Sequence, residues 1–252
     1  MTAEDMVVDV SQDWVLACHV QQRFMQGPGR NGGALDCGAR CRQVRALGGD
    51  CYDFMTLTDD RLALVVGDAS GKSLAAALMM ASVQSSLLTA ALFTANDLAA
   101  LLKIVNIQAY DSSAADRYAT LFYGVFDRAA RTLRYVNAGH NPPIVLRDDG
   151  SVHWLEPSGA PVGMFPDSGY EESGLRLDPG DLVIAYTDGV VEATNPEGDE
   201  WGVQGLLKAA AAWAPRCPGA AQDLVQWIFN SMDYFCGGCQ TDDATLAVLR
   251  VV

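Results

Sequence analysis

The chain has 252 residues, half of them apolar, and a formal net charge of −14 at pH 7. That length and apolar content can build one large domain or two small ones, and the negative charge disfavours nucleic acid and anionic membranes as partners. Because no long polar or proline-rich linker divides the chain, we predict an N-terminal helix and loop extension, residues 1–36, followed by a single domain, residues 37–252.

In the first half of the chain, a predicted N-terminal helix is followed by strands, and helices follow the strands after about residue 70. Apolar spacing and turn residues predict a helix over 13–26, a loop over 27–36, strands over 37–45, 51–58 and 62–66, and a helix over 72–93. The run Leu62–Val66 is apolar without interruption, which is typical of a strand covered on both faces. A further helix is predicted after a cap at Asn96 or Asp97, with Leu98 and Leu102 on its apolar stripe.

The second half is predicted to contain short antiparallel strands and two helices. Turn residues separate predicted strands over 118–127, 132–139, 143–147, 152–155, 170–177 and 182–187, and helices over 202–213 and 219–235 precede a strand over 244–251. The strands over 170–177 and 182–187 meet at the turn Asp178–Asp181 and are predicted as a hairpin. Hairpin strands interrupted by paired helices predict an α+β fold with mainly antiparallel sheets.

Residues 73–96 carry no charge and are long enough to suggest a membrane span, but their serine, threonine and glutamine residues and the absence of a basic flank favour a buried helix. The chain begins with an acidic sequence where a signal peptide would be basic, and its seven cysteines are an odd number. We therefore expect a cytoplasmic protein with reduced thiols. Cys236 and Cys239, separated by two glycines, leave a zinc or redox site as an alternative to incidental thiols.

Four short acidic motifs give the strongest indication of function. Each lies at the end of an apolar run or beside a glycine-rich turn, and together they contain Asp50, Asp53, Asp68, Asp188, Asp242 and Asp243. Clustered carboxylates repel one another and are stabilised by cations, and hard divalent ions such as Mg²⁺ and Mn²⁺ prefer oxygen ligands of this kind. The motifs predict a two-metal hydrolytic site, and the alternative is a set of unrelated turn aspartates.

Seven segments that contain these motifs resemble one protein family. They are ALGGDCYDF (46–54), RLALVVGDASGKSLAAALMMA (61–81), ATLFYGVFD (119–127), LRYVNAGHNPP (133–143), GAPVGMF (159–165), LVIAYTDGVVEATN (182–195) and DDATLAVLRV (242–251). The chain resembles the metal-dependent (PPM, type 2C) protein phosphatases, in the bacterial branch typified by the stage II sporulation protein E phosphatase and the sigma-factor regulatory phosphatases. The matches follow the family's order from about residue 40 to the C-terminus.

The resemblance implies a four-layer α/β/β/α sandwich with two ions, Mn²⁺ or Mg²⁺, in a cleft at one edge. By the same resemblance, Asp68 is the expected ligand shared by both ions, assisted by the backbone carbonyl of Ala69. Asp50 is the expected ligand of one ion, directly or through water, while Asp188 and Asp243 are expected at the other.

Five further residues are candidates for supporting roles. Asp53 and Asp242 are candidates for positions beside the metal ligands, with a structural role as the alternative, and Gly189 is a small neighbour that lets the backbone approach the ions. His140 lies in an Asn/Gly/Pro loop, where we expect a hydrogen-bonding anchor, with a catalytic acid or metal ligand as the alternatives. Arg45 is a candidate for binding the substrate phosphate, since a guanidinium forks onto phosphate oxygens, and an exposed strand arginine is the alternative.

A nucleotide-binding P-loop is the main rival within the sequence. The segment Gly67–Ser73 follows a strand, opens a helix and ends in Gly-Lys-Ser, but it has three residues between its glycines where a P-loop has four. The favoured hypothesis is a phosphatase that acts on phosphoserine or phosphothreonine of a regulatory protein, by resemblance an anti-sigma-factor antagonist in a bacterial partner-switching pathway. A catalytically silent binding module is the alternative.

The resemblance also implies a regulatory role for the helices over 72–93 and 97–110. Related phosphatases use these helices as a switch that is driven by a separate activator or by homodimerisation. The candidate switch residues are Leu74, Leu78, Leu87, Leu98 and Leu102. Ordinary core packing is the alternative explanation for this apolar surface.

Overall fold

Ten strands and six helices make up the part of the chain that the computed structural model describes, residues 3–25, 35–94, 96–113, 117–213 and 220–252. The helices are α1 (Ala3–Phe24), α2 (Leu74–Thr94), α3 (Leu98–Ser112), α4 (Asp188–Val191), α5 (Gly202–Trp213) and α6 (Ala221–Cys236). The strands are β1 (Leu35–Arg42), β2 (Asp50–Thr58), β3 (Arg61–Ala69), β4 (Ala119–Asp127), β5 (Thr132–Ala138), β6 (Ile144–Leu146), β7 (Val152–Trp154), β8 (Ser173–Arg176), β9 (Leu182–Tyr186) and β10 (Ala244–Val251).

The strands form two antiparallel five-stranded sheets, in the orders β1-β10-β9-β6-β7 and β2-β3-β4-β5-β8. Strand β3 shows how the layers are built. Its Leu62, Leu64 and Val66 belong to the core between the two sheets, whereas Ala63 and Val65 belong to the core under α2 and α3. A strand alternates its side chains between two faces, so an uninterrupted apolar run fits a strand that is covered on both.

A third core packs α5 and α6 against the other sheet, with Leu206 and Ile228 facing Ile184 and Val248. The layers are therefore helix, sheet, sheet and helix, and the predicted α+β fold with antiparallel sheets is confirmed.

The predicted hairpin around Asp178–Asp181 is wrong, although the turn is present. Strand β8 pairs with β5 in one sheet, while β9 lies between β10 and β6 in the other. The turn is closed by the Asp181 carboxylate, which accepts the Asp178 backbone N–H at 2.8 Å and pairs with the Arg147 guanidinium. It carries the chain from one sheet to the other, so a strong local turn signal does not specify a strand pair.

Several predicted element ends differ from the structure. Helix α1 begins near the N-terminus, earlier than residue 13, and β1 begins at Leu35 and ends at Arg42, where the sequence predicted 37–45. Most of the predicted loop over 27–36 lies outside the described residues, and the division of the chain at residue 36 stays a prediction. Of the two candidate caps, Asp97 is the N-cap of α3, since its carboxylate accepts the Ala100 N–H at 2.9 Å.

Helix α2 is not the buried helix that the sequence predicted. One face, with Met80 and Leu87, lies in the core under the sheet, whereas Leu78, Leu92 and Phe93 are 64%, 80% and 82% exposed. The helix lies in an outer layer, where the sheet covers only one of its sides. By length and composition alone α2 could cross a membrane, and 44% of its most apolar window is buried inside the fold.

Candidate metal centre

Two pairs of chain segments bring the acidic motifs to one end of the sandwich. Asp50 opens β2 and is the register partner of Asp68 on β3, because these antiparallel strands pair along their full length. Asp188 is the first residue of α4 and is separated from the end of β9 by Thr187, and Asp243 directly precedes β10. Since β9 pairs with β10, the second pair of motifs meets at the adjacent end of the other sheet.

The four motifs surround one cavity of about 320 Å³. Aspartates, glycines and small or polar residues line it: Gly49, Asp68, Ala69, Ser70, Gly71, Lys72, Tyr118, Thr120, Asp188, Asp242 and Asp243. Three of the predicted ligands and Ala69 are thus in the cavity wall, whereas Asp50 lies behind it and is almost fully buried.

Gly189 lets the two segments of the second sheet approach closely. A Cβ atom at this position would lie 2.0 Å from the Asp243 backbone oxygen and 3.2 Å from the Asp242 Cβ. A side chain is therefore excluded where α4 packs beside the segment that carries the last two aspartates.

Asp50 is held by two threonines from the other sheet. Its Oδ2 atom accepts hydrogen bonds from the Thr187 and Thr245 hydroxyls, each at 2.7 Å. Burial raises the pKa of Asp50 well above its usual value, and the Asp68 carboxylate adds to the rise. The threonines fix the orientation of Asp50 and tie the two sheets together at this end of the fold.

Asp68, Asp188 and Asp243 in the cavity wall also have raised pKa values. Burial raises the pKa of Asp68 to about 7, and the nearby Asp188 and Asp242 carboxylates add to the shift. Burial raises the pKa of Asp188 and of Asp243, with Asp242 adding to both. Each of these groups would hold its negative charge more readily beside a cation.

In the structure several of these carboxylates are turned toward other partners. Asp243 accepts the Val44 N–H at 2.8 Å and the Gly49 N–H at 3.2 Å, and Asp242 forms an ion pair of 2.7 Å with the Lys72 ammonium. Among the described residues, no three Asp, Glu, His or Cys side chains converge on a common point. Ligation of an ion by three aspartates would require these side chains to rotate toward the cavity.

The donor set fits hard divalent ions. Four aspartates and the Ala69 backbone face one water-accessible cavity, and burial together with repulsion from neighbouring carboxylates raises the pKa of Asp68 and of Asp188. Mg²⁺ and Mn²⁺ prefer all-oxygen ligands and would relieve that repulsion. Asp68, Asp188, Asp242 and Asp243 are therefore the side chains that would hold the ions, with Asp50 supporting Asp68.

Asp53 and His140 lie outside the cavity wall. Asp53 is buried on β2, and burial raises its pKa to about 6. A hydrogen bond of 2.9 Å joins His140 Nδ1 to the Thr120 hydroxyl, which in turn donates to the Asp68 backbone carbonyl at 3.4 Å. Burial lowers the pKa of His140 to about 4, so its ring is neutral at pH 7, and the Asn137 side chain bonds its backbone on both sides.

Arg45 does not reach the cavity, because its guanidinium donates to the Lys72 carbonyl at 2.5 Å. Lys72 lines the cavity, and its side chain is 52% exposed. Sequence reasoning also missed Thr187 and Thr245. The position of each beside an acidic motif was the available signal, since Thr187 precedes Asp188 and Thr245 lies two residues after Asp243.

The two cysteines of the Cys-Gly-Gly-Cys sequence lie at the C-terminal end of α6. Cys236 is buried and Cys239 is exposed, while Cys37 belongs to the core between the sheets. The described part of the chain brings no third metal-ligating side chain to this pair, so the zinc alternative gains no support.

Comparison with known proteins connects this arrangement to one family. A family model described as Stage II sporulation protein E (SpoIIE) matches residues 58–252. Protein IcfG of Synechocystis is 32% identical, with 82% of this chain and 36% of IcfG aligned. Phosphoserine phosphatase RsbU of Bacillus subtilis is 25% identical, with 96% of this chain and 71% of RsbU aligned. The chain thus spans about a third of the length of IcfG.

The fold has a solved counterpart in the SiaA-PP2C domain of Pseudomonas aeruginosa. The two superimpose with a TM-score of 0.82 over 100% of both chains, at 20% sequence identity. The arrangement of layers is therefore that of the PP2C fold.

Proposed function

The chain belongs to the stage II sporulation protein E (SpoIIE) family, and from that membership we propose that it is a metal-dependent protein phosphatase that hydrolyses phosphoserine or phosphothreonine. The observation that carries the proposal is that Asp68, Asp188, Asp242 and Asp243 all line one cavity. A P-loop NTPase is disfavoured, because Asp68, at the end of β3 where the P-loop would begin, would repel a nucleotide phosphate.

Two divalent ions, Mn²⁺ or Mg²⁺, would supply a water of lowered pKa and neutralise charge on the phosphoryl oxygens. The protein's own part is to hold and orient the ligands. The paired strands β2 and β3 fix Asp50 against Asp68, and the Thr187 and Thr245 hydroxyls lock Asp50 in place. Because Asp50 is buried behind the cavity wall, the substrate would enter from the open side of the cavity.

The proposed substrate is a small phosphorylated regulatory protein of the anti-sigma-factor antagonist type. Support comes from the motif resemblance and from RsbU, a relative named as a phosphoserine phosphatase. Docking of a folded partner would supply orientation that a short peptide cannot, so we expect phosphopeptides to be poor substrates. The test compares kcat/KM for a phosphorylated anti-sigma-factor antagonist and for a phosphopeptide of the same sequence. Equal values would contradict this part of the proposal.

The proposed regulation acts through α1 and α2. The Gln21 side chain donates to the Gly48 carbonyl at 2.7 Å, and the neighbouring Gly49 N–H is bonded to Asp243. Helix α1 therefore contacts the loop that positions a candidate ligand. The exposed apolar face of α2, with Leu78 and Leu92, offers a surface for a separate activator or a second copy of the chain.

The regulatory proposal is tested with Gln21→Ala. We expect a lower affinity for Mn²⁺, because the loop bearing Gly48 and Gly49 loses a hydrogen-bond partner. Gln204→Ala, at an exposed position on α5, is the matched control. Equal Mn²⁺ affinities of the two variants would show that α1 does not influence the site.

The experiment that tests the phosphatase proposal is turnover of para-nitrophenyl phosphate and of a phosphoserine protein by the purified chain, with each metal and after chelation. Turnover with Mn²⁺ or Mg²⁺ supports an enzyme. A well-folded protein that binds the ions or the phosphoprotein without any turnover would support the silent binding module instead.

A further inference from the structure

The cavity of aspartates contains one cation whose role the metal ligands do not explain. Lys72 is the single positively charged side chain among the described residues of the cavity wall. Its ammonium lies 2.7 Å from Asp242 Oδ2 and donates to the Thr241 carbonyl at 3.3 Å. In a chain with a net charge of −14, a lysine in the wall of this acidic cavity calls for an explanation.

The backbone that carries Lys72 is anchored on both sides. Arg45 donates to the Lys72 carbonyl at 2.5 Å, and Arg117 donates to the Ser70 carbonyl at 2.8 Å. Gly71, between these two carbonyls, has a φ of 90°, which favours glycine. Two guanidinium groups thus fix the loop from outside the cavity, and the lysine side chain projects from a defined position.

The side chain itself is free to change partners. It is 52% exposed, and its ion pair with Asp242 is open to water, where such pairs contribute little to stability. Lysine also has a long flexible stem and three donors, so its ammonium can reach a new acceptor at small cost. Because its backbone is fixed and its ammonium group can change partners, Lys72 is suited to bind an anion that enters the cavity.

The charge of the loaded cavity points to the same role. Two divalent ions would offset most of the negative charge of the wall aspartates and Asp50, and an Asp242 carboxylate that turned toward an ion would release the Lys72 ammonium from its present ion pair. We propose that Lys72 leaves Asp242 when the substrate enters and binds the phosphate group of the phosphorylated residue. The inference rests on the proposed phosphatase function and assigns to Lys72 the role that the sequence suggested for Arg45.

A second account of Lys72 is that it only neutralises the aspartates. The two accounts differ in what the loss of the charge does. If Lys72 binds phosphate, Lys72→Met weakens phosphate binding on the order of tenfold, the usual size of one charge-assisted hydrogen bond. If Lys72 is only a counter-ion, the same change tightens Mn²⁺ binding and leaves phosphate binding to the Mn²⁺-loaded protein unchanged.

The test measures inorganic phosphate binding to the Mn²⁺-loaded protein by calorimetry, and Mn²⁺ binding without phosphate by electron paramagnetic resonance. The variants are Lys72→Met, Lys72→Arg, which keeps the charge, and Lys208→Met, a control at an exposed site on α5. We expect weaker phosphate binding only for Lys72→Met, with its Mn²⁺ affinity equal to or tighter than that of the wild type. Thermal unfolding checks that each variant is folded.

Unchanged phosphate affinity in Lys72→Met would overturn the inference, whatever happens to Mn²⁺ binding. A parallel assay of turnover keeps the two proposals distinguishable. If the wild type binds phosphate through Lys72 but hydrolyses no phosphoprotein, the proposed function fails and the inference about Lys72 stands. If the wild type turns over its substrate and Lys72→Met has an unchanged KM and phosphate affinity, only the inference about Lys72 fails.

Discussion

Substitution of Gly189 by alanine tests whether close backbone approach holds the two halves of the site together. The added Cβ would lie 2.0 Å from the Asp243 carbonyl oxygen, whereas such contacts are essentially never shorter than 3.0 Å, so the two segments must separate by about 1 Å. A displacement of that size at catalytic groups costs about a hundredfold in rate. Asp243 also bonds the Val44 and Gly49 N–H groups, so the shift extends to the loop before β2.

The assay is a Mn²⁺ titration of para-nitrophenyl phosphate hydrolysis, with thermal unfolding in the presence of a chelator as the measure of the fold. We expect Gly189→Ala to lose most of its activity and to bind Mn²⁺ more weakly, with a stability loss of about 1–3 kcal/mol from overpacking. Gly169→Ala is the matched control, because a Cβ there meets nothing within 4 Å. If the two variants have the same Mn²⁺ affinity and activity, the packing argument for Gly189 is wrong.

Three further predictions follow from the same geometry. Asp188→Asn should lower turnover on the order of a hundredfold while the protein stays folded, since it removes one of several mutually repelling charges; near-normal turnover would refute its assignment as a ligand. Leu87 is 1% exposed on the core face of α2, so Leu87→Ala should cost about 2–5 kcal/mol of stability and weaken Mn²⁺ binding. Leu78 is 64% exposed, so Leu78→Ala should change stability by less than about 0.5 kcal/mol. If Leu87→Ala lowers stability but leaves the Mn²⁺ affinity unchanged, α2 serves only as core packing. The folded-state pKa of Asp68 is raised from 3.8 to about 7, so the stability that its protonated form contributes at low pH is lost as the pH rises through that range. The metal-free protein should therefore melt at a lower temperature near neutral pH than in mild acid. An equal fall in melting temperature in Asp68→Asn would contradict this assignment.

Local patterns in the sequence predicted most elements of this fold. The apolar runs of β4, β5 and β10 and the cap of α3 are short-range features, and the structure has them within about two residues of the predicted bounds. The assignment of strands to sheets depends on contacts between distant segments. The turn at Asp178–Asp181 is a strong local signal in either topology, so it could not reveal that β8 and β9 belong to different sheets.

The same division applies to the candidate site. The acidic motifs could be recognised one at a time, because each aspartate lies at the end of an apolar run. The threonines that hold Asp50 could not be recognised in this way, since Thr187 and Thr245 are 137 and 195 residues away from it along the chain. The ion pair of Lys72 could not be predicted for a related reason, because its partner Asp242 belongs to a distant segment of the chain.

The exposed face of α2 also could not be predicted from composition. The helix is apolar on nearly all sides, so its sequence lacks the polar face that would normally mark the side turned to water. Only the packing of the layers shows that Leu92 and Phe93 lie outside the core. In the proposed regulation, the exposed apolar face of α2 is the surface that a regulatory partner would bind.

The central claim is that this chain uses divalent ions held by its aspartates to remove phosphate from a protein. The most direct measurement is phosphate release from a phosphoserine protein by the purified chain after exhaustive chelation, followed by return of Mn²⁺ or Mg²⁺. We expect release to stop on chelation and to resume with the ion in the wild type, and to stay at least about a hundredfold lower in Asp68→Asn. Release that continues without any divalent ion, or equal recovery in Asp68→Asn, would contradict the claim.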